Sequence, residues 1–488
     1  MIKKDITQVK EWKKLGLKCG LEVHQQLDTN KLFCNCPSIL RQEEPDFTVK
    51  RKLHAVAGES GDIDIAAKHE TAQDKEFIYK VYNNVNCLVE LDEEPPHEIN
   101  KEALKISLQI AILLNCKILP ITQIMRKTVI DGSNTSGFQR TVMIARDGFI
   151  ETNQGKVKIE GLFLEEDSAR PMIRDGKNII YRLDRLGIPL LEIATAPDIK
   201  TPEQAKEVAL HIGDILRSCR VKRGIGTIRQ DINISIKGSN RVELKGFQDP
   251  KIMVKTVENE ISRQQDFLKK RMNNPSEVRN VLPDGTSKFL RPMPGEARMY
   301  PETDLLLLNI HRNLINEIKR NLPKLRSEVL EDLKKTGLNH EMIKLLIRQN
   351  KFEEFKEFLR ILDNPQLIAK ILLIFPKEIA SREKISINKI GKILNKEVLV
   401  YVLENLKRKK ISEDQLKQSL ERIVKGEKIE KAIVFEKEDI NVVEEKIIEI
   451  IKRKQGLSLN AYMGLVMKEF HGKIDGKEVM EIIKKYVE

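Results

Sequence analysis

The sequence predicts an α+β protein in which a domain built on a largely antiparallel sheet precedes purely helical regions. Two observations lead to this prediction. Across 1–310, short runs of alternating apolar and polar residues are separated by glycine-containing turns, which is typical of half-buried strands. From residue 311 onward glycine is scarce, and apolar residues recur at intervals of three and four, as on one face of a helix. We therefore expect three domains, 1–310, 311–425 and 441–488, with the charged segment 425–440 as a linker.

Polar side chains share one face of several predicted strands. Near the N-terminus, Glu22 and His24 lie two residues apart on one face of a strand. The other face of this strand is apolar and presents Leu17, Cys19, Leu21 and Val23. A hairpin is predicted around the Gly-Ser-Asn turn at 238–240, with Asp231 and Glu243 on its polar face. Lys245 and Asn233 follow on that same face.

Helices are predicted between and after the strands. In the first domain they cover 101–115 and 202–218. In the helical region, Ser412 followed by Gln415 forms a capping-box signal at the start of another helix. The segment 441–488 has the pattern of about three short helices. These elements complete the α+β prediction.

Composition indicates a soluble globular protein. Of 488 residues, 40% are apolar and 33% are charged, and no apolar run is long enough for a signal peptide or a membrane span. We therefore expect a cytoplasmic protein without a membrane partner. The net charge is +13, and 311–488 contributes 38 Lys and Arg against 29 Asp and Glu. This excess suits a polyanionic partner, although lysine-rich surfaces throughout a proteome would produce the same count.

The cysteines argue against a disulfide scaffold and against bound zinc. Six cysteines in a cytosolic chain of this length are expected to stay reduced. Only Cys34 and Cys36 are close in sequence, and the other four are isolated. Because a zinc site needs about four ligands, the missing second pair predicts that zinc is absent.

The chain has no sequence signature of a phosphate-binding glycine loop. A P-loop pattern is absent, and Gly224 and Gly226 lack the third glycine of a dinucleotide fingerprint. If the protein binds a nucleotide, metal ions must perform the role that such a loop has elsewhere.

Acidic side chains on strand faces supply candidates for a metal site. The candidate residues are Glu22, His24, Glu165, Glu166, Asp167, Glu192, Asp231 and Glu243. Carboxylates directed at one point repel each other unless a cation neutralises them. Oxygen ligands with one imidazole suit Mg²⁺ or Mn²⁺. Taken singly, each residue has a simpler interpretation: a half-exposed strand position, a hydrogen-bonded histidine, a solvated acidic loop, or a glutamate paired with a buried arginine.

Several ordered motifs resemble one protein family. The segments GLEVHQQLDT (20–29) and KLFC (31–34) resemble the opening motif of the B/E subunit family of tRNA-dependent amidotransferases. Further segments are similar to the archaeal E branch of this family, namely DGSNTSGFQRT (131–141), LDRLGIPLLEIA (183–194), GTIRQDIN (226–233), RPMPG (291–295) and MYPETD (299–304). The segment AYMGLVMK (461–468) resembles the C-terminal tRNA-binding module of the family.

The resemblance implies a cradle domain that binds ATP and Mg²⁺, with two ion sites expected, followed by a helical domain and a tRNA-binding tail domain. Carried over by motif, the metal ligands and catalytic residues would be Glu22, His24, one or both of Glu165 and Glu166, Glu192 and Asp231. The weaker candidates for nucleotide or substrate contact are Arg229, Lys245, Ser133, Asn134 and Arg140. The loop 133–140 could instead be a turn satisfied by its own side chains.

The implied reaction is ATP-dependent amidation of glutamate on misacylated tRNA(Gln). No glutaminase or asparaginase motif occurs in the chain, so ammonia would come from an asparaginase-like D subunit, within a heterodimer or heterotetramer. One departure concerns tRNA selection. Only residues 265–290 separate Gln264 from Arg291, so the aspartyl-tRNA-synthetase-like insertion usual in the E branch is missing.

Three alternatives stay open at this point. A B-type subunit would also amidate Asp-tRNA(Asn). A non-catalytic tRNA-binding subunit would use the acidic residues only structurally. A metal-dependent nuclease would also contain clustered carboxylates.

Overall fold

The computed structural model describes residues 12, 14–54, 71, 74–175, 178–247, 250–293, 299–349, 351–435, 440–470 and 476–487. The chain divides into two compact units, Met1–Arg326 and Ser327–Glu488. Every strand in the described ranges belongs to the first unit, and the second unit is helical. The predicted α+β class is therefore confirmed.

The strands of the first unit are short except for two, which form one long hairpin. Within the described residues the strands are β1 (Lys18–Gln26), β2 (Phe47–Arg51), β3 (Glu76–Val81), β4 (Lys117–Ile118), β5 (Ile121–Thr122), β6 (Ile124–Thr128), β7 (Phe138–Thr152), β8 (Gly155–Glu166), β9 (Arg170–Asp175), β10 (Asn178–Arg182), β11 (Pro189–Thr195), β12 (Ile228–Ser235), β13 (Val242–Phe247), β14 (Glu277–Val281), β15 (Ser287–Pro292), β16 (Met299–Pro301) and β17 (Leu308–Asn309).

The strands form one large and two small sheets. The large sheet has the order β15-β14-β13-β12-β1-β11-β8-β7-β6-β16, with β4 also pairing with β7. In this sheet, β13 and β14 are parallel and the other recorded pairs are antiparallel. The second sheet has the order β2-β3-β10-β9, and β17 pairs with β5. The sheet is therefore largely antiparallel, as predicted, and β1 lies between β12 and β11.

Three helices of the first unit lie between strands, and the remaining helices follow them. The described helices are α1 (Lys101–Leu113), α2 (Pro202–Ser218), α3 (Met253–Lys269), α4 (Arg312–Arg320), α5 (Arg326–Lys334), α6 (His340–Arg348), α7 (Phe352–Ile361), α8 (Pro365–Leu373), α9 (Phe375–Glu383), α10 (Ile387–Ile393), α11 (Lys396–Lys407), α12 (Glu413–Val424), α13 (Ile429–Ala432), α14 (Ile440–Arg453), α15 (Leu459–Glu469) and α16 (Gly476–Val487).

One face of the large sheet packs against helices. Leu21 and Val23 of β1 are buried in the same hydrophobic cluster as Leu108 of α1 and Ile212 of α2. Burying a side chain of this size contributes roughly 1.5–3 kcal/mol to stability. Because side chains alternate along a strand, Glu22 and His24 must then point to the opposite face of the sheet. The packing of the core therefore determines which face carries the polar residues.

The helical unit contains two hydrophobic clusters. The larger one runs from Val329 to Ile433, and the smaller one is formed by α14, α15 and α16. At the start of α12, the Ser412 side chain accepts a hydrogen bond from the Gln415 backbone, and the Gln415 side chain accepts one from the Ser412 backbone, so the predicted capping box is confirmed. Across the described residues, no helix combines the length and apolarity needed to cross a membrane.

Candidate active site

Strand register places the polar residues of β1 beside those of its two neighbours. Glu22 lies opposite Asp231 of β12, and His24 lies opposite both Glu192 of β11 and Arg229 of β12. Directly paired residues in an antiparallel ladder point to the same face. These five side chains therefore share the face of the sheet that α1 and α2 do not cover.

The first group of candidate ligands consists of Glu22, His24 and Glu192. One ligand atom from each lies within 4.8 Å of the others, and all three residues are half-buried. His24 Nε2 is 3.3 Å from Glu192 Oε2. Two carboxylates and one imidazole thus meet at one point.

The second group consists of Glu22, Asp231 and Glu243, whose carboxylate oxygens also approach within 4.8 Å of one another. Asp231 and Glu243 are buried. Glu22 belongs to both groups, so the groups are adjacent and share one carboxylate. Glu243 was among the acidic strand residues that the sequence pattern offered, because it lies on the polar face of the β12–β13 hairpin, but it was not among the ligands that the family resemblance implied.

Two lysines neutralise these carboxylates. Lys245 Nζ lies 2.9 Å from Asp231 Oδ2 and 2.7 Å from Glu243 Oε1. Lys127 Nζ lies 2.8 Å from Glu165 Oε1 and 3.8 Å from Glu192 Oε2. Sequence analysis missed Lys127, because β6 joins the sheet through β7 and no local pattern connects it with β11.

The electrostatics of the site reflect this crowding. Burial raises the pKa of Glu22, and the neighbouring Glu192 and Glu243 raise it further. For Glu192, burial opposes ionisation, but Lys127 and the hydrogen bond with His24 outweigh it and lower the pKa. For His24, burial opposes protonation, but contact with Glu192 and nearby carboxylates raises the pKa. The residues therefore favour bound cations, and their oxygen-rich donors with one imidazole fit Mg²⁺ or Mn²⁺.

The adjacent residues Glu165 and Glu166 point to opposite faces. Glu165 lies opposite Leu190 and so shares the face of Glu192. Glu166 lies opposite Pro189, and its Oε2 accepts a hydrogen bond from the Arg140 backbone at 3.1 Å. Glu166 was predicted to converge with the other ligands, but the structure places it in neither of the two groups.

The loop that contains Ser133 and Asn134 is held by contacts within the loop and with a distant segment. The Ser133 backbone donates to Asp131 Oδ1 at 3.0 Å, and the Thr135 hydroxyl donates to the Glu90 carbonyl at 2.6 Å. Asn134 is 2% exposed. Its Oδ1 has no hydrogen-bond partner within the described structure. The alternative of a turn satisfied by its own side chains therefore describes the contact of Ser133 but not that of Thr135.

Two arginines that were candidates for ligand contact differ in their surroundings. Arg140 is buried, with Nε 2.8 Å from Glu302 Oε2 and Nη1 3.5 Å from Glu166 Oε1. Arg229 is about one-third exposed, with Nη2 3.1 Å from Asp167 Oδ1. Since Arg229 lies opposite His24, it is the arginine positioned beside the acidic groups.

A separate group unites Cys34, Cys36, Cys87 and Glu90, whose ligand atoms lie within 4.8 Å of one another. Zinc was expected to be absent because no second ligand pair lies close to Cys34 and Cys36 in sequence. The fold brings Cys87 and Glu90 from a distant segment to Cys34 and Cys36, so spacing along the chain does not predict which side chains are close in space.

Comparison with known proteins identifies the family. Residues 17–316 match the family model described as the GatB/GatE catalytic domain. The chain belongs to the GatB/GatE family. Residues 353–487 also match the GatB domain model, so the GatB/GatE resemblance extends to the helical part of the chain.

Relatives of this GatB/GatE chain carry one name. Each of the following is named as the E subunit of glutamyl-tRNA(Gln) amidotransferase. The protein of Methanocaldococcus jannaschii is 38% identical, with the alignment covering 97% of this chain and 99% of the relative. The protein of Archaeoglobus fulgidus is 35% identical, with the alignment covering 97% of this chain and 98% of the relative. The protein of Sulfurisphaera tokodaii is 33% identical, with the alignment covering 98% of this chain and 99% of the relative.

The alignments also show a difference in length. The alignment with the Methanocaldococcus jannaschii protein runs over 632 positions, whereas this chain has 488 residues. The relative therefore contains segments that have no counterpart here. This agrees with an insertion missing from the present chain.

Proposed function

We propose that this chain is the kinase subunit of a glutamyl-tRNA(Gln) amidotransferase. It phosphorylates the side chain of glutamate on misacylated tRNA(Gln), and ammonia then replaces the phosphate to give Gln-tRNA(Gln). The observation that supports this most directly is that Glu22 belongs to both groups of candidate ligands, which lie on the face of the sheet that α1 and α2 do not cover. The relatives' common name supports the substrate.

Two cation positions are expected in the site. Glu22, His24 and Glu192 would hold one Mg²⁺, and Glu22, Asp231 and Glu243 would hold the second. Ions held there would neutralise the charge that develops during phosphoryl transfer. Glu165, held by Lys127 and by Gln139 Nε2 at 3.1 Å, borders the first position.

The cationic side chains have a second role in this proposal. Lys245 is bound to Asp231 and Glu243, the residues assigned to the second ion. A divalent ion held there would compete with the ammonium of Lys245 for these carboxylates, and Lys245 would then be available to phosphate oxygens. Arg229, partly exposed beside His24, can donate two hydrogen bonds to the same anion.

The chemistry proceeds in two steps. An oxygen of the substrate's γ-carboxylate attacks the γ-phosphorus of ATP, and the bond to the β–γ bridging oxygen breaks to release ADP. Ammonia then attacks the acyl carbon, the carbon–oxygen bond to phosphate breaks, and a proton is lost from nitrogen. An acyl phosphate hydrolyses readily, so the cradle must exclude water until ammonia arrives.

The reaction requires two partners. The asparaginase-like D subunit would supply ammonia within a heterodimer or heterotetramer. The tRNA would contact the helical part of the chain, where 311–488 contains nine more basic than acidic residues. RNA helices expose phosphates and 2′-hydroxyls, which a basic helical surface can bind by shape.

ATP hydrolysis by the purified chain with its D partner tests the proposal. Hydrolysis should be stimulated by Glu-tRNA(Gln), much less by Asp-tRNA(Asn), and not by uncharged tRNA. Equal stimulation by Asp-tRNA(Asn) would instead support the B-type reaction. Tight tRNA binding without any stimulated hydrolysis would support a non-catalytic role.

A further inference from the structure

Asp167 is a completely buried carboxylate that belongs to neither group of candidate ligands. It directly follows β8, and both of its side-chain oxygens accept hydrogen bonds. Oδ1 accepts one from Arg229 Nη2 at 3.1 Å, and Oδ2 accepts one from Gln26 Nε2 at 2.6 Å. A buried charge is costly unless it is paired and hydrogen-bonded. The carboxylate therefore depends on its arginine, and the arginine is held by the carboxylate.

The main chain around Asp167 holds this carboxylate in one place. Its backbone N–H donates to the Ile188 carbonyl at 2.7 Å, and its carbonyl accepts a hydrogen bond from the Gly187 backbone at 3.0 Å. Oδ1 also accepts one from the Ser168 backbone at 2.9 Å. Burial opposes ionisation of Asp167, but Arg229 and a second arginine outweigh it and lower its pKa. Asp167 is therefore a fixed and ionised acceptor.

Arg229 reaches this acceptor from the strand beside the acidic site. It lies opposite His24 in the ladder of β1 and β12, and its side chain is about one-third exposed. Among the described residues, only Asp167 contacts the Arg229 guanidinium through a hydrogen bond or an ion pair. A guanidinium has five N–H donors in one rigid plane, so a contact at one nitrogen orients the others. The remaining donors of Arg229 are left for a ligand.

The second arginine on Asp167 makes the surroundings cationic. Arg185 Nε lies 3.7 Å from Asp167 Oδ1, so two guanidiniums share one carboxylate. Arg185 is already bound by main-chain carbonyls, with Nε 2.7 Å from that of Ser168 and Nη2 2.9 Å from that of Ala169. The excess positive charge is therefore accessible at Arg229, which suits an anion with several oxygens.

We propose that Asp167 is a positioning residue that fixes the Arg229 guanidinium for a phosphate group of ATP. This role rests on the function proposed above, because the anion is the nucleotide of that reaction. A long exposed side chain loses rotamer freedom when it binds an anion, and one that is already held loses less. Removing the hold should therefore weaken the interaction with ATP by about tenfold.

A double-mutant cycle on the full chain with its D partner tests this role. Asp167→Asn should raise the KM for ATP by about tenfold and leave the KM for Glu-tRNA(Gln) unchanged. Arg229→Ala should raise the KM for ATP at least as much. Adding Asp167→Asn to Arg229→Ala should then change that KM by less than about twofold, because the group to be positioned is gone. Effects that multiply, or an equal rise in both KM values, would overturn the proposal.

Asp184→Asn is the matched control for loss of a buried carboxylate. Asp184 is also completely buried, and its Oδ2 accepts a hydrogen bond from Arg170 Nη2 at 2.5 Å. It follows β10 of the second sheet and belongs to neither group of candidate ligands. Its replacement should lower the melting temperature but keep the KM for ATP within about twofold of the wild-type value. If Asp167→Asn gave this same result, Asp167 would be a structural residue only.

Free guanidinium ion provides a second measurement that does not compare the stabilities of variants. It should restore part of the ATP turnover of Arg229→Ala, because the Asp167 carboxylate can bind the added cation. It should restore none when Asp167→Asn is also present. Restoration that is equal in the two proteins, or absent from both, would overturn the proposal. Wild-type protein whose ATP hydrolysis does not respond to Glu-tRNA(Gln) would contradict the proposed function itself, whereas normal wild-type turnover with a failed cycle would contradict only the role of Asp167.

Discussion

Glu22 of β1 and Asp231 of β12 are direct partners in the antiparallel ladder, and their carboxylate oxygens lie within 4.8 Å of each other. Carboxylates so close destabilise each other unless cations are present. Lys245 fills this role in the structure, with Nζ 2.9 Å from Asp231 Oδ2. A divalent ion bound here would therefore compete with Lys245 for the same oxygens, and this competition can be measured.

Replacing Lys245 by Met should strengthen divalent-ion binding while weakening catalysis. Without the ammonium, an ion no longer has to displace a competing cation, so Mn²⁺ affinity should rise on the order of tenfold. ATP turnover should fall, because a phosphate-binding cation is lost. Calorimetric titration with Mn²⁺ and steady-state turnover measure the two effects. Lys156→Met, which removes an exposed lysine paired with Glu151, is the control. Weaker Mn²⁺ binding in Lys245→Met would contradict the competition.

Replacing Glu192 by Gln should lower Mg²⁺-dependent phosphoryl transfer by about a hundredfold or more, because the amide cannot neutralise a cation that stabilises the transition state. Affinity for tRNA should remain nearly unchanged, since it arises from phosphate contacts elsewhere. Turnover and filter-binding assays separate the two quantities. The exposed Glu160 of β8 supplies the matched change, Glu160→Gln, which should keep full activity. Wild-type turnover in Glu192→Gln would remove this residue from the site.

Divalent-ion affinity should increase with pH. Burial opposes protonation of His24, but Glu192 and nearby carboxylates raise its pKa above the ordinary 6.5 of an imidazole. A proton must therefore leave His24 before Nε2 can bind a metal, so affinity should rise as pH passes through this raised pKa. Calorimetric Mn²⁺ titrations in buffers of different ionisation enthalpy measure the protons released on binding, and repeating them across pH gives the midpoint of this transition. A midpoint at or below 6.5 would contradict the prediction. The control His211→Asn, in helix α2, should leave the profile unchanged.

The same shift has a consequence for the stability of the metal-free protein. A pKa raised on folding means that the native state binds the proton more tightly than the unfolded state. The contribution of His24 to the free energy of unfolding is therefore fully present below the unfolded pKa and is lost as pH rises through the folded pKa. Melting temperatures of metal-free wild type and His24→Asn should converge above that pH.

Replacing Arg140 by Met should destabilise the first unit by about 3–5 kcal/mol, because the buried carboxylate of Glu166 loses its arginine partner and that of Glu302 retains only Arg126. Chemical unfolding measures the change. Arg146→Met, at an exposed arginine near Asp147, should change stability by no more than about 0.5 kcal/mol. If Arg140→Met retained full stability but lost substrate affinity, Arg140 would instead be a substrate-binding residue.

Deleting 441–488 should raise the KM for Glu-tRNA(Gln) and flatten the dependence of tRNA affinity on salt, because fewer phosphates are neutralised. ATP binding to the cradle should be unchanged. The three tail helices form a hydrophobic cluster of their own, so they can be deleted together as one packed group. Affinities at several salt concentrations, for the full and the truncated chain, measure the slope. An unchanged slope in a folded truncation would mean that the tail braces the protein or contacts the D subunit.

The faces of the strands were predictable from sequence. Alternation alone placed Glu22 and His24 opposite the apolar residues of β1, because burial of those residues leaves only one orientation. The same reasoning placed Asp231 and Glu243 on one face of the hairpin, where they meet Glu22. When one face of a strand is strongly apolar, the local sequence pattern is enough to predict which side chains lie on the opposite face.

Residues that depend on distant pairing were not predictable in this way. Which of Glu165 and Glu166 faces the site depends on their pairing with Leu190 and Pro189, and both occur at the end of a strand. The position of Lys127 likewise depends on the order of strands across the sheet. Cys87 joined Cys34 only through the fold, so a search by spacing could not find it.

The central position of β1 determines when this protein can fold during its synthesis. The strand is made first, but its neighbours β11 and β12 begin only at Pro189 and Ile228. At about 5–20 residues per second, roughly 10–40 s of translation separate β1 from its second neighbour. Throughout that interval the edge of β1 that pairs with β12 lacks its native partner, and the other edge lacks its partner until β11 is made. The nascent chain should therefore depend on chaperones until β12 has emerged.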